Sequence, residues 1–172
     1  MDFIELIKSR RSVRKYQDKP ISDEILRKLL EAAHWAPSAH NSQPWEFIII
    51  KDEEIKRRIA EASFWGKFLS KAPVGIAIVI NPTKSNHPVE DGAAATQNLL
   101  LAAHALGLGA CWIGSYGSIW ENKAKEILGI PNNLRLLSIV AIGYPAEKPS
   151  STRKSLESII HLNKYGSYTK DS

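Results

Sequence analysis

Three guanidiniums and one hydroxyl fall within five residues at Arg10-Arg11-Ser12-Val13-Arg14. Planar guanidiniums offer paired donors that match phosphate oxygens, and the Ser12 hydroxyl with nearby backbone N–H groups can complete a tetrahedral cage around such an anion. The same residues also read as a solvated basic face closing a short amphipathic segment, Phe3 to Ile7. Between Lys8 and Lys19 six basic side chains face one acid, Asp18, so positive charge is concentrated where the cage would form. A second stretch, Ala36-Pro37-Ser38-Ala39-His40-Asn41-Ser42-Gln43-Pro44-Trp45, has two prolines, many short polar side chains and no periodicity. It reads as a loop rich in hydrogen-bonding groups.

Other chemistries lack their residues. Cys111 is the only cysteine, which excludes an intrachain disulfide framework, a cysteine-based zinc site and an iron–sulfur cluster held by one chain, and suits a reducing, cytoplasmic setting. His34, His40, His87, His104 and His161 form no H-E-x-x-H or comparable pairing, and His104 reads as a hydrogen-bonded core histidine. Gly107-Leu108-Gly109 follows a helical pattern and lacks the third glycine of a dinucleotide fingerprint. Gly114-Ser115-Tyr116-Gly117 has the wrong spacing for a hydrolase elbow. The non-enzyme alternative is a basic nucleic-acid-binding protein, resting on the N-terminal cluster and on five tryptophans that could stack on bases. Against it, no nucleic-acid module is recognisable, and Trp35, Trp45 and Trp112 adjoin apolar runs where core packing is the ordinary role.

The elements that must position these groups follow from periodicity. Ser22-Asp23-Glu24 caps a helix whose apolar stripe is Ile25, Leu26, Leu29, Leu30 and Ala33, ending before Pro37. Glu46 to Ile50 is a strand, and Glu53 to Ala62 a helix with Ile55, Ile59 and Ala62 on one face. Val74 to Ile80 is almost continuously apolar between Pro73 and Asn81-Pro82, the pattern of a strand covered on both faces. Asp91 to Leu106 is a helix apolar nearly all round, which in a chain of 172 residues predicts packing against a second subunit as well as its own. Ala110 to Ile113 is a short strand, Trp120 to Leu128 a helix closed by Gly129, and Leu136 to Ile142 a fourth, buried strand. After Gly143-Tyr144-Pro145 the composition turns polar, and a modest apolar pattern from Ser155 to Leu162 has no evident place on its own subunit.

One α+β domain is therefore expected over residues 1–172. A hydrophobic content of 44% and a net charge of +5 suit a globular fold with an anionic partner. The N-terminus is charged by residue 5 and does not read as a signal peptide, and no apolar run reaches the roughly 18 residues that span a bilayer. A soluble protein without a membrane role is the expectation.

Five motifs in order, R-R-S-V-R, A-P-S-A-H-N-S-Q-P-W, D-G-A-A-A-T-Q-N-L-L-L-A-A, G-A-C-W-I-G and S-I-V-A-I-G-Y-P, resemble the nitroreductase-like flavoprotein family over nearly the whole chain. The resemblance implies an α+β homodimer with a central mixed sheet of four strands, a fifth strand contributed by the partner's C-terminal tail (150–172), and one FMN in each of two interfacial sites. Arg10, Arg11, Ser12 and Arg14 resemble the phosphate and ribityl grip, and Arg153 the basic residue that joins it. Pro37, Ser38, Ala39, Asn41 and Gln43 resemble the loop that meets the flavin of the partner subunit. Trp112, Ile113 and Gly114 resemble the turn beside the flavin ring, where glycine admits close backbone approach. The implied activity is NAD(P)H-dependent, ping-pong hydride transfer through flavin N5 to a small acceptor such as a nitroaromatic, quinone or enone, with no catalytic side chain. A flavin storage or sensing protein is the alternative. The chain departs from larger relatives in the short span between the Glu53 helix and the Val74 strand, so the pocket is expected to be open or capped by Phe64, Trp65 and Phe68.

Overall fold

The computed structural model describes residues 2–167. Helix α1 (Phe3–Ser9) begins where the Asp2 carboxylate accepts the Glu5 N–H, and ends at Arg10, after which the chain is extended. Helix α2 (Asp23–His34) is capped by Ser22 and buries Leu26, Leu29 and Ala33. Strand β1 (Trp45–Ile50) leads into α3 (Glu53–Ala62), capped by Asp52, and then into β2 (Val74–Ile80). Helix α4 (Pro88–Ala105) opens with proline in its first turn, where a missing N–H costs nothing. Strand β3 (Gly109–Gly114), helix α5 (Glu121–Leu128) and strand β4 (Arg135–Gly143) complete the order.

The strands form one sheet in the order β1-β2-β4-β3. All three ladders are antiparallel, so the mixed sheet expected from the sequence is antiparallel in its strands; the parallel pairing found is the isolated bridge of Ser12 with Ala110. The reason lies in the β1-to-β2 connection. Helix α3 carries the chain away from the end of β1 and the turn at Lys67–Lys71 brings it back, so β2 starts beside Ile50, with Gly75 as its partner. Lys56 seals this return: its buried ammonium donates to the Ala72 carbonyl at 2.6 Å and pairs with Glu53 at 2.7 Å.

Helices cover both sheet faces, as the apolar strands predict. On one face Leu26, Leu29, Leu99 and Ala103 from α2 and α4 meet Ile76, Ile78 and Val140. On the other, Ile59 and Ala124 from α3 and α5 meet Ala77, Val79 and Ile139. Alternate β2 residues thus enter two cores, each large aliphatic side chain contributing about 1.5–3 kcal/mol by burial. Helix α4 lies so close to the sheet that a Cβ at Gly92 would come 2.6 Å from Leu137 Cδ2 and 2.7 Å from Ile80 Cγ2. Its opposite stripe is only partly covered by its own chain, with Gln97 and Ala105 exposed and Ala93 and Leu101 half-buried. Beyond β4 the chain runs back along the N-terminal segment, Ala146 donating to Lys15, and residues 150–160 are then exposed.

Candidate functional site

A cavity of about 400 Å³ opens at the end of β3, with Trp112, Ile113 and Gly114 on one side and Arg14, Trp65 and Phe68 on another. Antiparallel pairing fixes the first wall, Trp112 opposite Val140 and Gly114 opposite Ser138. A Cβ placed on Gly114 meets nothing within 4 Å, so the backbone there faces open space. The second wall is held by a tight turn. Ser63 Oγ accepts the Gly66 N–H at 2.9 Å, and a Cβ at Gly66 would come 2.9 Å from Ile113 Cγ2, so only glycine lets the turn lie against β3. That turn presents Phe64 and Trp65 as an exposed edge-to-face pair, ring centroids 4.8 Å apart. The Arg14 guanidinium sits 5.7 Å from the Phe68 ring centroid.

Cationic groups converge on Cys111, which forms part of this wall. Burial raises the Cys111 thiol pKa, against the opposing influence of Arg14, a hydrogen bond from Ser12, and Arg10. Arg10 is held below its ordinary pKa by burial, then by the charges of Arg153 and Arg11, which brings the tail guanidinium into electrostatic range of the N-terminal one. Arg153 itself donates to Ser151 Oγ at 3.2 Å and the Thr152 carbonyl at 3.0 Å. Arg10, Ser12 and Arg14 thus lie within electrostatic range of Cys111, and Arg153 and Arg11 within range of Arg10.

Arg11 makes its hydrogen bonds to the chain itself. Its guanidinium donates to the Lys8 carbonyl at 2.6 Å and the Arg10 carbonyl at 2.8 Å, satisfying the end of α1, and it borders a separate cavity of about 380 Å³ with His104 and Gly107–Gly109. His104 is only half-buried, 2.9 Å from Ser9 Oγ; burial and the charges of Arg10 and Arg11 lower its pKa.

The polar loop is built on a residue that sequence reading took only as a helix start. Asp91, buried at the beginning of α4, accepts the Ala39 N–H at 2.9 Å, the Ser42 hydroxyl at 3.4 Å and the Ser85 hydroxyl at 2.5 Å. Ser38 Oγ accepts the Gln43 N–H at 3.0 Å, and the Gln43 amide donates to Asn41 Oδ1 at 3.0 Å. These bonds hold His40, Asn41 and Gln43 at positive φ. Pro37, Asn41 and Gln43 are exposed and Ser38 and Ala39 half-exposed. The loop precedes β1, whereas the cavity borders β3 at the opposite sheet edge, three inter-strand spacings or about 14 Å away. Within one chain the loop and the cavity do not meet. An acid among the small apolar residues that open α4 was the signal for Asp91. Glu147, whose carboxylate accepts the backbone N–H of Arg14 at 2.6 Å and of Lys15 at 3.1 Å, was also not singled out, because nothing local marks it.

A family model described as the nitroreductase family matches residues 7–73 and 63–144. The chain belongs to the nitroreductase family. Among relatives of this nitroreductase-family chain, an Archaeoglobus fulgidus protein, provisionally an NADH dehydrogenase or NAD(P)H nitroreductase, is 43% identical over 150 residues, covering 84% of this chain and 86% of that one. A Thermus thermophilus NADH dehydrogenase is 30% identical over 189 residues, with 88% and 91% covered. In solved structures, an FMN-dependent nitroreductase from Clostridium difficile superposes with a TM-score of 0.90 at 32% identity, covering 95% of this chain and all of the other. A provisional nitroreductase from Desulfovibrio desulfuricans, in complex with FMN, gives 0.83 at 34%, with 94% and 96% covered.

The residues present fit a flavin mononucleotide. The Arg10 and Arg153 guanidiniums with the Ser12 hydroxyl suit a phosphate, and the open backbone at Gly114 leaves room for the edge of a flat ring. Among the described residues, no group of three or more His, Cys, Asp or Glu side chains is placed to hold a metal, and no helix is long and apolar enough to cross a membrane.

Proposed function

We propose that this nitroreductase-family chain is an FMN-dependent NAD(P)H oxidoreductase acting on a small electron acceptor such as a nitroaromatic, a quinone or an enone, in the cytosol, as a homodimer with its sites between subunits. The observation that carries the reading is the cavity in which Arg14 faces the open Gly114 backbone, with Ser12 and Arg10 within electrostatic range of Cys111 in its wall and Arg153 within range of Arg10. Bound FMN would supply ping-pong hydride chemistry, taking a hydride from NADH or NADPH and giving it to the acceptor. The chain's own residues then have limited tasks. Arg10, Arg153 and Ser12 hold the phosphate. Arg14 adds positive potential that offsets the negative charge gained on reduction. Backbone N–H groups near Ile113 and Gly114 contact the ring edge, and Trp65 with Phe68 excludes water and offers a flat surface to donor and acceptor in turn. Pro37, Ser38, Ala39, Asn41 and Gln43 come from the partner, since in their own chain they lie across the sheet from the cavity.

Three features support the dimer: the partly covered stripe of α4, the exposed Phe3 and Ile4 of α1, and the exposed Leu156, Ile159 and Ile160 of the tail. The outer edge of β1 adjoins a groove of about 450 Å³ lined by Ile48, Ile50, Ile55, Ile127 and Leu128. The partner's tail wraps the subunit and adds a fifth strand there; of the expected span 150–172, residues 168–172 lie outside the described residues.

The test is anaerobic rapid mixing of FMN-incubated protein with NADH or NADPH, then with a nitroaromatic or quinone. The expected result is a flavin spectrum shifted by binding, bleached by one nucleotide and restored by the acceptor, with parallel steady-state plots. Protein that takes up no FMN, bound flavin that neither nucleotide bleaches, or intersecting plots would overturn this reading.

A further inference from the structure

Glu147 borders the cavity that Arg11 lines and is bound to the backbone of Arg14, which lines the cavity at the end of β3. Its Oε1 accepts the backbone N–H of Arg14 at 2.6 Å and of Lys15 at 3.1 Å. Beyond it the same two stretches of chain are laced together by the Ala146 N–H to the Lys15 carbonyl and the Gln17 N–H to the Tyr144 carbonyl, both at 2.9 Å. The carboxylate thus fixes the backbone from which the Arg14 side chain departs.

A neutral amide oxygen could accept the same two N–H groups, so the latch does not require a charge. Yet a charge is present: the half-buried Glu147 carboxylate borders the cavity of about 380 Å³ with Arg11 and Lys148 and, together with Arg10 and Arg14, lies within electrostatic range of Cys111. The Cys111 thiol in the cavity wall senses all three groups, the two arginines favouring its ionisation and Glu147 opposing it. A negative charge at this position weakens the attraction for a phosphate and opposes the addition of electrons to a ring held nearby.

Resting on the flavin-binding reading above, we propose that Glu147 is a positioning residue for Arg14 whose negative charge also limits how tightly the site holds FMN and how readily the bound flavin is reduced. Two variants of the full chain separate the two parts. Glu147→Gln keeps an acceptor oxygen and removes the charge; FMN should bind about threefold more tightly, the factor a partly screened charge produces, and the flavin midpoint potential should rise. Glu147→Ala removes both; the potential should rise as well, but FMN affinity should fall by about tenfold as Arg14 loses its anchored backbone. Affinity is read from quenching of FMN fluorescence and the potential by dye-equilibrated reduction, with circular dichroism of each variant to establish folding. If Glu147→Ala does not fold, Glu147→Gln alone decides. A Glu147→Gln protein with wild-type affinity and potential, or with a lowered potential, would overturn the inference while the functional reading stands. Wild-type protein that binds no FMN would overturn both.

Discussion

Arg10 and Arg11 are chemically identical neighbours with different work, because the chain leaves α1 in extended form between them and the cavity. Arg10 is half-buried in the cationic group with Arg153, whereas Arg11 closes the helix carbonyls. Arg10→Ala should weaken FMN binding by about 1.5–3 kcal/mol, the worth of a charge-assisted phosphate contact. Arg11→Ala should instead cost stability, about 1 kcal/mol for the lost bonds at the helix end, with a smaller change in affinity. Fluorescence titration beside denaturant unfolding of the two variants checks the order; equal losses of FMN affinity would contradict it. Cys111 is buried in β3 and its thiol pKa is raised, so it is poorly suited to thiolate chemistry, and Cys111→Ser should keep wild-type turnover in steady-state assays.

Between residues and molecule, two carboxylates staple elements together. Glu121, at the start of α5, takes a bidentate bond from Arg135 of β4 at 2.7 Å on each oxygen, and also accepts the N–H groups of Gly117 and Leu136. Arg135 in turn lies over the Tyr116 ring, 4.2 Å from its centroid. Burial pushes the Glu121 carboxyl upward, but the Arg135 guanidinium and the backbone donors outweigh it and hold the pKa below the ordinary range. A depressed carboxyl contributes stability that is complete above its unfolded value and is lost as pH falls through its folded one. Glu121→Gln should therefore cost about 3 kcal/mol near neutral pH. The gap to wild type should narrow below about pH 4, where the unfolded carboxyl begins to protonate. Urea unfolding of both proteins at several pH values measures this, and a gap that widens on acidification would refute it. Asp91 does the same for the loop before β1. Asp91→Ala should leave the Ala39 N–H without its acceptor, costing about 1–3 kcal/mol, and should raise backbone exchange across residues 38–43 in hydrogen-exchange measurements.

At the scale of the molecule the two halves of the proposed site stand apart. The cationic cavity at the β3 edge and the polar loop before β1 lie on opposite edges of one sheet, so a second subunit is the simplest way to bring such halves together. Deleting residues after Lys154 should leave the edge of β1 and its apolar groove uncovered, giving loss of solubility and a shift towards monomer in light scattering. An unchanged dimer would show that the tail plays no part in assembly.

How much of this was legible in the sequence depends on the range of the forces involved. Strands, helices and the two-sided core were readable because burial imposes period and length on a contiguous run: Val74 to Ile80 could only be a covered strand, and α3 was placed to the residue. The basic cluster, the polar loop and the Gly114 turn were readable because each carries its chemistry within a few residues. The direction of Arg11, the antiparallel ladders, the anchoring of the loop by Asp91 and the latch of Glu147 on Arg14 were not. Each depends on which distant backbone groups arrive at hydrogen-bonding distance, and a bond of 2.6 Å between residues 14 and 147 leaves no periodic trace along the chain. Local pattern determined what each segment is; only the closing of the sheet decided which of their polar groups face one another, because hydrogen bonds act over a few ångströms while the segments they join lie far apart in sequence.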